Sequence, residues 1–162
     1  MPWKNGGGET VELAAFPEGA PLDGFGWRLS MATVARPGPF SAFPGVDRTL
    51  AVLEGRLALD FEGRGRVVLD PGSPPLAFPA DLAVTGEPLD GPVADLNLMT
   101  RRGGFRHRLS RVEADGPRRL PRQGDLMLVL ERGGDLLLVE DEAEVEIEAG
   151  AEVGFVADLW RA

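Results

Sequence analysis

The residues of this 162-residue chain best equipped to hold an anion fall in its first 50 positions: Lys4 beside Asn5 and three glycines, Arg28 two residues before Ser30, then Ser41 and Asp47-Arg48. An arginine can grip a carboxylate through two parallel N–H bonds, and a lysine supplies a compact charge. Lys4 is the only lysine among 17 basic residues, which sets it apart from an ordinary solvated lysine. The run Gly6-Gly7-Gly8 lets the backbone approach a bound group closely and can turn N–H donors toward it. The candidate ligand contacts are therefore Trp3, Lys4, Asn5, Gly6, Arg28, Ser30, Ser41, Phe43, Asp47 and Arg48. Each also has a structural reading: a glycine turn with Lys4 in solvent, ion pairs of Arg28 or Arg48 with Glu12 or Asp47, and aromatic packing by Trp3, Trp27 and Phe43. Arg101-Arg102, after Asn97, fit either a pocket or the rim of an interface.

Other chemistries are poorly served. The chain lacks cysteine, so disulfides, thiolate metal sites and cysteine nucleophiles are excluded together. Its one histidine, His107, lies between Arg106 and Arg108, a context that suits a solvated strand position better than a Ser-His-Asp device. A transition-metal site usually needs two or more imidazole or thiolate ligands, so no metal and no other cofactor is expected. Neither a P-loop nor a Gly-x-Ser-x-Gly elbow is present. The net charge of −9 argues against a nucleic-acid partner. The N-terminus carries no basic segment followed by an apolar run, and no stretch approaches the roughly 18 apolar residues of a membrane span, so a cytoplasmic protein without membrane contact is expected.

The charge is unevenly placed: residues 1–123 carry 15 acidic and 15 basic side chains, residues 124–162 carry 11 acidic and 2 basic. Eight arginines lie between positions 101 and 122, with only Glu113 and Asp115 against them. A local anion site there is one reading; cross-strand pairing with the acidic segments that follow is the other.

The elements that must position these side chains are strands. Gly and Pro, 22 and 14 residues, punctuate the chain at roughly 8- to 12-residue intervals, the rhythm of short strands and turns. In residues 142–149, Ala143, Val145, Ile147 and Ala149 alternate with four glutamates, a half-buried strand whose charged face discourages edge pairing. Residues 126–130 and 136–139 form a hairpin about Arg132-Gly133-Gly134-Asp135, and residues 153–156 resume the strand pattern after Gly150. Trp27, Leu29 and Met31 alternate with Arg28, Ser30 and Ala32, so one face is apolar and the other offers a cation and a hydroxyl. Residues 50–61 and 66–69 read as strands with turns at Gly55 and Gly63-Arg64-Gly65; residues 72–75 and 86–92 read as loops. No persuasive amphipathic helix appears, so a barrel or sandwich is expected.

Residues 38–55 resemble the first cupin motif, G-x5-H-x-H-x3,4-E-x6-G. Val52-Leu53-Glu54-Gly55 matches its close, Ser41 and Phe43 stand where the motif has histidines, and Arg48 stands at the position of its metal-binding glutamate. The resemblance implies a metal-free pocket suited to a carboxylate, with Arg48 facing inward and Thr49 outward. A broader pattern joins the Trp3-Lys4-Asn5-Gly6-Gly7-Gly8 segment, Trp27-Arg28-Leu29-Ser30-Met31-Ala32, Gly38-Pro39-Phe40-Ser41 with Phe43-Pro44-Gly45-Val46-Asp47-Arg48, and Asp95-Leu96-Asn97-Leu98-Met99-Thr100-Arg101-Arg102. In that order these resemble the HutD/Ves family. What it implies is an all-β, cupin-like (RmlC-like) jelly-roll β-barrel in a bicupin arrangement, a link to histidine utilisation, and residues ahead of Trp3-Lys4-Asn5 that would add a strand.

The expected organisation is an N-terminal barrel over residues 1–95 with the polar pocket, and a smaller barrel over 96–162 packed with it as one unit. The expected function is metal-free binding of a small anionic metabolite, sensing or buffering an acid of histidine breakdown such as formylglutamate or urocanate. One alternative is a metal-independent isomerase or hydrolase with Lys4 or Glu12 as general base and Arg28 or Arg48 steadying an oxyanion. Another is a structural protein with a filled barrel. Assembly into a homo-oligomer stays open.

Overall fold

Fifteen strands and no helix make up the computed structural model, which describes residues 1–112, 118–148 and 152–162. None of the described residues forms a helix long and apolar enough to cross a membrane. The chain divides into two units, Met1–Arg102 and Gly103–Ala162.

The first unit holds β1 (Gly8–Phe16), β2 (Trp27–Val34), β3 (Gly38–Pro39), β4 (Val46–Glu54), β5 (Leu57–Phe61), β6 (Gly65–Leu69), β7 (Leu76–Pro79), β8 (Val84–Pro88) and β9 (Val93–Arg101). They form a five-stranded sheet, β1-β2-β9-β4-β7, and a four-stranded sheet, β3-β8-β5-β6, all antiparallel. Val34, Leu50, Val52, Phe78 and Val93 from the first sheet meet Leu57, Leu59, Leu69 and Val84 from the second in one apolar cluster. Each such side chain stabilises the fold by about 1.5–3 kcal/mol on leaving water. The all-β, cupin-like expectation is met here.

Side chains alternate across a strand, so register decides what faces the core. Met99 of β9 is the Cα partner of both Arg28 on β2 and Arg48 on β4. One step along, Asn97 stands between Ser30 and Leu50, and beyond it Asp95 stands between Ala32 and Val52. A polar row thus runs across the same sheet face that, further down, is entirely apolar. Gly55, at φ +84°, turns the chain from β4 of the first sheet into β5 of the second, and a Cβ there would lie 3.0 Å from the Pro92 carbonyl oxygen.

One expectation is corrected. Residues 86–92 do not form a single loop: Gly86 to Pro88 belong to β8, hydrogen-bonded to β5, with β3 on the other edge. Glycine and proline suggested a break, but Gly86 is needed because the Phe40 ring lies against it, 2.5 Å from where a Cβ would stand.

The second unit contains β10 (Phe105–Arg111), β11 (Arg118–Pro121), β12 (Leu126–Glu131), β13 (Leu136–Val139), β14 (Glu144–Ile147) and β15 (Val153–Arg161). A four-stranded sheet, β10-β15-β12-β13, and a two-stranded one, β11-β14, enclose a cluster that includes Leu120, Met127, Val129, Val139, Ile147 and Val156. The predicted alternation holds in β14, where Glu144 and Glu146 are exposed and Ile147 is buried; Ala149 lies outside the described residues, as do Glu113 and Asp115. The arginines divide their loyalties. Arg119 pairs with Glu144 at 3.2 Å and Arg108 lies 3.7 Å from Asp158, but Arg122 donates to the Glu142 carbonyl, and Arg106 and Arg108 also cover the Trp160 ring. His107 is half-buried in β10.

Candidate functional site: an arginine-lined cavity

The first unit contains an open cavity of about 570 Å³. Its back wall is the polar row of the five-stranded sheet: Arg28, Ser30 and Ala32 from β2, Asn97 and Met99 from β9, and Arg48 from β4. Its front and rim come from Met1 to Asn5, Leu22, and Pro39, Phe40, Ser41 and Phe43. Arg28 and Arg48 flank Met99 across two strand spacings, which separates their Cα atoms by about 10 Å.

The two guanidinium groups are anchored alike. Arg28, its side chain only 8% exposed, donates from Nε to Glu12 Oε1 at 3.0 Å. Arg48 donates from Nε to Asn97 Oδ1 at 2.8 Å, and its guanidinium lies 5.1 Å from the centre of the Phe40 ring and 5.9 Å from that of Phe78. Neither arginine's terminal nitrogens have a hydrogen-bond partner among the described residues. Ser30 is buried at the cavity wall. Two fixed cations with free forked donors, set beside a hydroxyl, have the chemistry to grip a carboxylate or a similar oxyanion.

Behind this wall lies a residue that the motif reading passed over. Asp95, 1% exposed, accepts a 2.6 Å hydrogen bond at Oδ1 from Asn97 Nδ2. Burial pushes its carboxyl up to about 7, against the opposing pull of Arg48 and the Asn97 hydrogen bond. Burial likewise pushes Arg48 down to about 10, with Asp95 opposing the fall and Arg28 adding to it. Asn97 is thereby locked: its oxygen serves Arg48 and its nitrogen serves Asp95.

The remaining candidates are spread more widely. Trp3 lines the cavity, but its indole N–H is spent on Thr10 Oγ1 at 2.7 Å, and it meets Phe40 edge-on with centroids 5.9 Å apart. Phe43 lines the mouth and packs on Phe25, while Ser41 and Lys4 stand exposed at the rim. Asn5 also lines the cavity, with Oδ1 accepting from the Gly7 N–H at 2.8 Å. The Gly6 N–H bonds Trp3 O at 3.1 Å and its carbonyl accepts from Arg36, so Gly6 shapes the loop outside the cavity and the glycine run does not present its first two N–H donors to an anion. Asp47, one residue before Arg48, takes the opposite face and pairs with Arg102 at 2.7 Å. Arg102 also bonds Asp81, and Arg101 donates to Phe25 O at 2.9 Å and covers the Phe25 ring. Of the pairings considered for the arginines, Arg28 with Glu12 is the one that forms. Phe40, Met99 and Asn97 were missed as lining residues; the signal for Asn97 was its two-residue spacing from Asp95, with leucines on either side of it.

Among the described residues no group of three or more His, Asp or Glu side chains is placed to hold a metal ion.

The HutD family model matches residues 1–157. An uncharacterized 21.2 kDa protein in the hutC 3' region of Pseudomonas putida is 42% identical over 118 residues, a match that covers 67% of this chain and 57% of that relative. The chain thus spans little more than half of that relative's length. The structure of HutD from Pseudomonas fluorescens SBW25, in a formate condition, is 32% identical and superposes with a TM-score of 0.83 over 100% of this chain and 93% of that one. A conserved protein of unknown function from Pseudomonas aeruginosa PAO1 is 30% identical, with a TM-score of 0.86 over 98% and 92% of the two chains.

Proposed function

The chain belongs to the HutD family, and on that premise we propose that the cavity of its first unit binds the carboxylate of a small acidic metabolite, sensing or buffering it without transforming it. The observation that carries this reading is the pair of arginines flanking Met99, each anchored through Nε with its terminal nitrogens unpartnered in an open cavity. The hutC setting of the Pseudomonas putida relative and the formate condition of the Pseudomonas fluorescens structure fit an acid of histidine breakdown, formylglutamate or urocanate, as the ligand. Of the two bases that an enzymatic alternative would use, Lys4 stands at the cavity rim and Glu12 does not reach the lining. Glu12 is committed to Arg28, Asp95 is walled off by Asn97, and neither carboxylate lines the cavity.

Calorimetric titration with formate, formylglutamate and urocanate tests the reading. The protein binds at least one of them, and Arg48→Ala weakens that binding by roughly 10- to 150-fold while keeping a cooperative melt, the loss expected for one charge-assisted contact. Neither Glu12 nor Asp47 depends on Arg48, and Asp95 can take a proton, so the variant strands no buried charge. Absence of binding at millimolar ligand, or affinity unchanged in Arg48→Ala, would overturn the assignment.

A further inference from the structure

We infer that Asp95 couples anion binding to proton uptake: when a carboxylate occupies the arginine-lined cavity, Asp95, hidden behind Asn97, becomes protonated. This rests on the anion-site reading above and adds to it a role for a residue that the ligand never touches.

The argument is one of charge. Around the cavity the fixed charges of the protein cancel in pairs: Arg28 faces Glu12 directly, and Arg48 faces Asp95 through the Asn97 amide. A bound carboxylate on the terminal nitrogens of Arg48 adds a second anion to one guanidinium in a partly desolvated site, where like charges raise each other's proton affinity. Of the anions present, the ligand and Glu12 have direct cationic partners, whereas Asp95 has none and is 1% exposed. Asp95 therefore releases the strain by taking a proton from solvent on Oδ2, the oxygen that Asn97 leaves free.

The hydrogen-bond chain permits this without rearrangement. Arg48 Nε–H donates to Asn97 Oδ1, and Asn97 Nδ2–H donates to Asp95 Oδ1, an oxygen that accepts whether the carboxyl is ionised or neutral. Burial by the protein's own groups already holds the carboxyl near the physiological range, so a modest further push suffices. The charged group that acts on Asp95 is Arg48 on β4; Arg28 on β2, paired with Glu12 on β1, acts in turn on Arg48, and Lys4 stands at the rim. The Met1 amino group also lines the cavity; it donates to Thr10 O at 2.6 Å and lies 4.0 Å from Glu9. Linkage is reciprocal, so the factor by which formate raises the proton affinity of Asp95 is the factor by which protonation raises formate affinity.

Titrating formate, itself ionised throughout, into the full chain between pH 6 and 8.5 in buffers of different ionisation enthalpy reads the effect directly. The protein takes up a net fraction of a proton, approaching one per formate above pH 7, and the dissociation constant rises by up to about tenfold per pH unit there. Asp95→Asn, of the same shape, binds formate with affinity that no longer falls with pH and takes up no proton. Formate binding to the wild type without proton uptake overturns the proposal while leaving the anion site standing. Uptake that persists in Asp95→Asn assigns the proton to a group other than Asp95 and also overturns it. Failure of the wild type to bind formate at any pH removes the anion site and the proposal together. Should the variant fold poorly, carbon-detected NMR of the wild-type Asp95 carboxyl with and without formate reads the same proton: its titration midpoint rises on formate binding if the proposal holds, and an unmoved midpoint overturns it.

Discussion

A carboxyl with so little exposure is held ionised only at a cost to folding. Asp95 binds its proton more tightly in the folded chain, where burial pushes it up to about 7, than unfolded, where it titrates near the ordinary aspartate value. Between those two points the folded state holds more protons, so stability falls as pH rises from about 4 to 7 and is level above. The linkage amounts to roughly 4 kcal/mol at most, set by the distance between the two values. Asp95→Asn removes this slope. Measured against wild type, the variant's melting temperature therefore improves between pH 5 and pH 8, and a difference that stays constant across that range contradicts the assignment. Arg48, pushed down only to about 10, stays cationic throughout and contributes no slope of its own.

The strands bring these side chains together by register, and a single methyl group can disturb them. Gly86 on β8 lies under the Phe40 ring, whose Cε1 and Cζ would be 2.5 and 2.7 Å from a new Cβ. Phe40 also covers the Arg48 guanidinium and meets Trp3, so a displaced ring moves into the cavity. Gly86→Ala destabilises the protein by about 1–3 kcal/mol, as overpacking does, and weakens carboxylate binding; thermal melts and calorimetry measure both. Gly133→Ala, where a Cβ meets nothing within 4 Å, serves as the comparison and leaves both unchanged within error. At this scale the sequence spoke clearly about alternation. Arg28, Ser30 and Ala32 share the face that their spacing indicated, and Arg48 faces the cavity as its distance from Gly55 implied. It was silent about partners. Which strand lies beside which is a long-range fact, so nothing local indicated that Met99 would stand between two arginines, or that Asp95 would face the core while Asp47 faced out. Gly86 misled because a glycine that admits a neighbouring ring and a glycine that breaks a strand look the same in one dimension.

Over the whole chain, the acidic excess that the sequence concentrates in residues 124–162 is moderated by folding. The second unit, residues 103–162, gathers 13 acidic and 8 basic side chains, because the arginines from Arg106 to Arg122 belong with the acidic strands. Pairs such as Arg119 with Glu144, both largely exposed, are worth about 0–1 kcal/mol and moderate charge more than they hold the fold. Neither this charge distribution nor the cavity calls for a metal: Arg48, Ser41 and Phe43 are no set of ligands for a transition ion. Dialysis against a chelator accordingly leaves the melting temperature and formate affinity unchanged, and elemental analysis finds no stoichiometric zinc, iron or manganese. The Asn97 amide carries one last consequence. It transmits the field of Asp95 to the cavity, yet it has no proton that it can readily give up or accept, so it insulates the buried acid from whatever lies in front of it. Incubated with the protein in heavy water, formylglutamate or urocanate should return with no deuterium at carbon beyond that acquired in buffer alone, as mass spectrometry can establish.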